Sequence, residues 1–254
     1  MKFSDQGIII SQKKYSENSL IVKVFSQHHG LYRGFVKSAK SAKDRTIFQI
    51  GNLISFEYRA RLEDNLGQFC CVDLARSYCS KIMFDKLRLD CLKSLFSIID
   101  SVFLEREKHE LLFEKLHEFL QKLTDDNVQK NDFLADYIKL ELKILKTLGY
   151  GIDLSSCAAT NSTVNLVYVS PKSARAICFE AGEPYKNKLL KLPNFLIEEV
   201  SCNENHLLEG MKLSGYFLEK FIFEEKSPAE RNQQFVHREN IARTLFSSYT
   251  NSHL

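Results

Sequence analysis

The chain has 254 residues, 44% apolar and 26% charged, with 35 Lys and Arg against 32 Asp and Glu, 7 Cys, 4 Pro and no Trp. That balance sits on the globular average and excludes a disordered, collagen-like or mucin-like chain, and no apolar run approaches the roughly 20 residues of a membrane helix. The opening Met1 to Gln6 carries Asp5 where a secretory leader would be apolar, and Ile8-Ile9-Ile10 is too short for one, so a cytoplasmic protein without a membrane partner is expected.

The net charge of +3 divides unevenly. Residues 1–80 hold 12 Lys and Arg against 7 Asp and Glu, a net +5, so the remaining residues hold 23 against 25, a net −2. A basic front end on a near-neutral body points to an anionic partner, most commonly nucleic acid.

Up to about residue 75 the apolar residues come in short runs of period two, bounded by turn residues, which predicts strands. The first is Gly7 to Ser11. Leu20 to Phe25 follows, with Leu20, Val22 and Val24 on one face, and His28-His29-Gly30 turns the chain into Leu31 to Val36. The cleanest alternation is Leu53 to Arg61, where Ile54, Phe56, Tyr58 and Ala60 face one way and Ser55, Glu57, Arg59 and Arg61 the other. Gly67 to Leu74 completes the set. Five short strands in so little chain fit a small closed barrel, because closure removes exposed edges.

From residue 81 the period becomes helical. Leu92, Leu95, Phe96, Ile99, Val102 and Phe103 make one apolar stripe, and Leu112, Leu116, Phe119, Leu120 and Leu123 a second. Asp132 is placed to cap a third helix carrying Leu134, Tyr137, Ile138, Leu145 and Leu148, which Gly149 and Gly151 would end. Residues 152–193 break the pattern with a strand at Val164 to Val169 and three of the four prolines, so a small irregular or hairpin insert is expected. Helix resumes through Leu207, Met211, Leu218 and Ile222, and Ser227-Pro228-Ala229-Glu230 is a capping box opening a last helix. The expected class is α+β: a barrel over 1–79, then an all-α helical domain over 80–254 with the insert at about 152–193.

Enzyme motifs are missing. The sequence contains no phosphate loop, no zinc helix of the H-E-x-x-H type and no nucleophile elbow, and Gly149-Tyr150-Gly151 follows a helix where a dinucleotide fingerprint follows a strand. His109 and His117 are eight apart, not the four of a metal pair on one helical turn. The cysteines (70, 71, 79, 91, 157, 178 and 202) include no C-x-x-C pair, so reduced thiols are expected, with Cys70 and Cys71 read as small buried strand residues. A thiol enzyme working through Cys70 or Cys157 would need a reactive thiolate of low pKa.

Arg33 to Arg45 stands out. Arg33, Lys37, Lys40, Lys43 and Arg45 face the single acid Asp44, with Tyr32, Phe35 and Phe48 nearby. Cations beside barrel aromatics suit single-stranded nucleic acid, since phosphates meet the charges and bases stack on the rings. Arg59 and Arg61, alternating outward on the fourth strand, extend the same track.

Gln49-Ile50-Gly51-Asn52-Leu53, Tyr58-Arg59-Ala60-Arg61-Leu62-Glu63 and Leu66-Gly67 closely resemble the barrel segment of the RecO family of bacterial DNA repair proteins, in its proteobacterial form. Gly7-Ile8-Ile9-Ile10, Tyr15-Ser16-Glu17-Asn18 and His29-Gly30 are similar to that family's opening. Leu148-Gly149-Tyr150-Gly151-Ile152-Asp153-Leu154, Tyr168-Val169-Ser170-Pro171-Lys172-Ser173 and Glu180-Ala181-Gly182-Glu183-Pro184-Tyr185 look like its central part. The resemblance implies an N-terminal OB-fold, a helical C-terminal domain with a zinc-finger-like insert, and a non-enzymatic recombination mediator. Such a mediator binds single- and double-stranded DNA and anneals complementary strands. With RecR it helps RecA displace single-strand-binding protein, whose acidic C-terminal tail it contacts. Many members hold zinc through four cysteines in the insert, whereas this chain has only Cys157 and Cys178 there, with Thr160 where a further cysteine would stand, so neither zinc nor any other cofactor is expected. The reading from a different class is a protein-interaction adaptor for an acidic peptide, with incidental DNA contact.

Overall fold

A computed structural model describes residues 1–37, 46–62, 65–224 and 227–251. The first five strands are β1 (Lys2–Ser16), β2 (Ser19–Ser26), β3 (Gly30–Lys37), β4 (Asn52–Arg59) and β5 (Gly67–Ser77). They close into a barrel of order β1-β2-β3-β5-β4, antiparallel except where β3 meets β5. This is the expected OB-fold arrangement. The alternation read from sequence sets the inside: Val22, Val24, Ile54, Phe56, Tyr58 and Phe69 fill the barrel, while Lys23, Arg33, Glu57 and Arg59 point away from it.

β1 is three times longer than its apolar run. Its first half pairs with β4, from Lys2↔Arg59 to Ile8↔Leu53, and its second half pairs with β2, from Gly7↔Ser26 to Ser16↔Ser19. Serving two neighbours, it is held by ladder hydrogen bonds through polar flanks that no hydrophobic pattern would mark. β5 also overruns its expected end, and Cys71 adopts φ 48° within it. Cys71 is exposed and Cys70 half-buried, which corrects their reading as buried core residues.

Closure depends on a short parallel contact, Gly34↔Gly67 and Phe35↔Gln68. Tyr58, reaching across from β4, secures it: its hydroxyl donates to the Arg33 carbonyl at 3.0 Å and accepts the Gly67 amide at 2.9 Å. A Cβ on Gly67 would lie 2.4 Å from the Tyr58 ring, so glycine is required for this approach.

Three helices complete the first compact unit, Met1–Asp125: α1 (Cys79–Ile82), α2 (Lys86–Val102) and α3 (Glu110–Leu123). Asp85 caps α2 by accepting the Arg88 amide at 3.0 Å. Phe25 packs on Phe113, and Lys23 pairs with Asp100. Gly30, at φ +80°, lets the segment at Glu107 approach the β2–β3 turn. Periodicity marks the change of secondary structure near residue 80; compactness divides the chain between Asp125 and Asp126.

The second unit, Asp126–Leu254, begins with α4 (Lys130–Thr147). Gln129 occupies its cap position, so Asp132 falls in the first turn, where its charge meets the helix N-terminus, and the expected Asp132 cap is corrected accordingly. Gly149, at φ +87°, ends the helix as expected: Tyr150 N donates to Leu145 O and Gly149 N to Lys146 O, a complete Schellman pair. The insert holds β6 (Leu166–Val169), β7 (Ala176–Cys178) and β8 (Leu190–Lys191) in the order β7-β6-β8, with α5 (Phe179–Gly182) between β7 and β8. α6 (Glu204–Leu218) and α7 (Pro228–Asn251) follow. At the centre Glu141, fully buried, accepts from Tyr137 at 2.7 Å, Ser214 at 2.6 Å and Arg238 at 2.8 Å, joining α4, α6 and α7.

Candidate nucleic-acid interface

The strand register assembles an outward row of side chains around the barrel. Lys13 pairs with Ile21, Ile21 with Phe35, Phe35 with Gln68, Gln68 with Arg59, and Arg59 with Lys2 at the start of β1. Directly paired residues share a face of the sheet, so residues far apart in sequence form one band of alternating cationic and apolar or amide character. Arg33 and Lys37 flank Phe35 on the same face of β3 and are exposed.

The cations of this band differ in how far they are neutralised. Glu57 takes both Arg59 and Lys2, the latter at 3.0 Å, and these two partners, Arg59 foremost, hold its carboxyl below the usual range. Arg33 pairs with Glu105 at 3.3 Å, and Lys23 with Asp100. Lys13, Lys14, Lys37 and Arg61 are exposed and have no carboxylate at ion-pair distance among the described residues. Those four carry the uncompensated charge, which long-range attraction of a polyanion requires.

Of the residues expected from sequence, Arg33, Lys37 and Arg59 lie on the band, Arg61 lies just past the end of β4, and Lys40, Lys43 and Arg45 fall outside the described residues. Lys2, Lys13, Lys14 and Tyr15 were not anticipated. No local pattern marks them: they join this surface through the pairing of β1 with β4 and β2.

Within the second unit, a shallow groove of about 210 Å³ is lined by Lys139, Lys143 and Lys146 on one helix and by Leu142, Ile152, Leu154 and Leu196. Three cations at successive turns of α4 over an apolar floor suit an acidic peptide with an apolar end.

The insert's thiols form a third cluster. The Cys157 sulfur accepts the Cys178 amide at 3.2 Å, and the Thr160 hydroxyl lies 3.5 Å from the Cys178 sulfur. Burial raises the Cys157 thiol, but hydrogen bonds from the Thr160 hydroxyl and the amides of Cys178, Ala159 and Thr160 together bring it down to about 6. Two thiols and a hydroxyl do not make a tetrahedral zinc site, and no cluster of three or more His, Cys, Asp or Glu able to hold a metal occurs among the described residues. Hydrogen bonds do the tying here. Neither is any described helix long and apolar enough to cross a membrane.

The sequence profile described as Recombination protein O N terminal matches residues 1–78, and that described as Recombination protein O C terminal matches residues 83–227. The DNA repair protein RecO of Rickettsia conorii is 39% identical over 239 residues, and that of Rickettsia felis 40% over 239, each alignment covering 93% of this chain and 97% of the relative. The DNA repair protein RecO of Rickettsia typhi is 38% identical over 237 residues, covering 93% and 98%. With matched profiles spanning both the barrel and the helical region, the chain belongs to the RecO family of DNA repair proteins.

Proposed function

We propose that this chain is a cytoplasmic, non-enzymatic recombination mediator that binds single- and double-stranded DNA, anneals complementary strands and, with RecR, helps load RecA onto DNA coated with single-strand-binding protein. The observation that carries the reading is the cationic band on a closed barrel, with Lys13, Lys14, Lys37 and Arg61 uncompensated. Annealing needs no covalent chemistry. Cations placed between two strands lower the repulsion of their phosphates, and the bases then pair unaided.

The lysine groove supports the second half of the proposal. An acidic C-terminal tail would set its carboxylates against Lys139, Lys143 and Lys146 and its apolar end on Leu142, Ile152 and Leu196. The same groove is the one observation favouring the adaptor reading, in which the peptide is the main ligand. A competition titration separates the two. DNA affinity without any partner protein supports the mediator; binding of an acidic peptide alone, with DNA ignored, supports the adaptor. Lys143→Glu is expected to abolish peptide binding and leave oligonucleotide binding intact.

A further inference from the structure

At the turn end of the β1–β2 hairpin the register slips. Lys14 faces Leu20 and Ser16 faces Ser19, so Tyr15 is the extra residue of a β-bulge. A bulge re-aims the side chain it carries, and here it sends the Tyr15 ring against Phe35 of β3, with centroids 5.0 Å apart and planes at 68°. Tyr15 is 64% exposed, and its hydroxyl makes no hydrogen bond among the described residues. Phe35 is half-buried on the same outer surface, although the barrel core is already filled by Tyr32, Phe56, Tyr58 and Phe69. Burial therefore explains neither the exposure of this ring pair nor the bulge that creates it.

The charges around the pair narrow its use. Lys13 lies in the row of Phe35 through Ile21 and Lys37 follows two residues after Phe35, while Lys14, next to Tyr15 in the chain, pairs with Leu20 on the other face of the sheet. All three lack a carboxylate partner among the described residues, whereas Lys2, Lys23, Arg33 and Arg59 elsewhere on the barrel each have one. Unneutralised ammonium groups around an upright ring pair offer flanking phosphates their counter-charge and leave a ring face for a flat apolar group between them. An acidic peptide would use the charges but not the rings.

We propose that Tyr15 and Phe35 form a base-stacking platform for single-stranded nucleic acid, with Lys13 and Lys37 holding the adjoining phosphates. The platform rests on the nucleic-acid reading above and deepens it by assigning the preference for unpaired bases to two residues. A duplex stacks its bases on each other and shields their faces, so it can reach the lysines without engaging the rings. The platform thus separates strand-selective from strand-indifferent contact on one surface, and it is sequence-tolerant because every base has a π-face.

The test uses the full chain and fluorescent oligothymidylate, a hairpin duplex, and an abasic strand with the same phosphate count. Stacking of one base contributes about 1–3 kcal/mol, so Tyr15→Ala should weaken oligothymidylate binding roughly 5- to 150-fold. Duplex and abasic-strand affinities should stay within about twofold of wild type, well below the loss expected for one stacked base. Tyr15→Phe, which keeps the ring, should restore the affinity. Equal losses on all three ligands, or none on any while wild type binds DNA, would overturn the platform and leave the DNA-binding reading standing. Failure of wild type to bind any of the three would remove that reading, and the platform with it. Tyr15 is exposed, so the variant should fold; unchanged circular dichroism checks this, and Phe35→Ala supplies a second substitution at the same site.

Discussion

The Tyr58 hydroxyl accepts the Gly67 amide at 2.9 Å, and through its second hydrogen bond, to the Arg33 carbonyl, one phenol holds both strands of the barrel's parallel contact. Its ring is 1% exposed and its pKa is pushed up by burial, so the phenol stays protonated and can donate throughout the physiological range. Tyr58→Phe leaves a buried amide and a part-buried carbonyl without that partner and should cost about 1–3 kcal/mol in urea denaturation. Gly67→Ala should cost at least as much, because its methyl would overlap the same ring. Because Phe35↔Gln68 is the neighbouring pair of that contact, both variants should also weaken single-strand binding.

Glu57 is the acid within the cationic band. Removing its charge by Glu57→Gln frees Lys2 and Arg59 together and should tighten oligonucleotide binding, with the salt dependence becoming steeper. Its carboxyl is held low by Arg59 and Lys2, so Glu57 should add no pH dependence to the affinity between pH 5 and 8, roughly the range above an ordinary carboxylate pKa. Fluorescence anisotropy across salt and pH checks both statements, and a weaker Glu57→Gln complex would contradict them.

Glu141 and Arg238 form the polar centre of the second unit, and Arg238 also donates to the Met211 carbonyl. Taking away one partner strands a buried charge, so Arg238→Ala should destabilise this unit by about 3–5 kcal/mol. The joint replacement Glu141→Leu with Arg238→Met should cost less than either single change. Gly215→Ala should act in the same direction, since its Cβ would lie 2.7 Å from the Arg238 guanidinium. Denaturation curves of these variants give the comparison.

Cys157 should titrate near 6, followed by thiolate absorbance, with Thr160→Val moving the midpoint upward. A thiol lowered on folding stabilises the native state above the unfolded thiol's pKa, about 8.5. That contribution is lost as pH falls toward 6, so the insert should be less stable at pH 6 than at pH 9, more so in wild type than in Cys157→Ala. A chelator should leave the unfolding transition in place, because two thiols and a hydroxyl do not close a zinc site. A chelator-induced shift would contradict this.

Much of the barrel was legible because period two is physical: Val22, Val24, Ile54, Phe56 and Tyr58 alternate in sequence because a pleated strand buries every second side chain. The polar ends of β1 were not legible, since Lys2, Ser4, Lys13 and Lys14 are strand only by pairing with β4 and β2. Local pattern found Arg33, Lys37 and Arg59. It could not find Lys13 or Tyr15, which join that surface through register and through one slipped residue. Nor could it show that Glu105 offsets Arg33, because that pairing depends on folding across the chain.

The most direct test of the proposed DNA-binding surface is a titration of single-stranded oligonucleotide against salt, run in parallel with an assay of complementary-strand annealing. With Lys13, Lys14, Lys37 and Arg61 engaging phosphates, log K should fall against log salt with a slope of about −3. Lys13→Glu with Lys37→Glu should flatten that slope by about half and suppress annealing, a change consistent with losing two phosphate contacts. Salt-independent binding, or a doubly reversed variant that binds and anneals like wild type, would contradict the assignment of this barrel face to DNA.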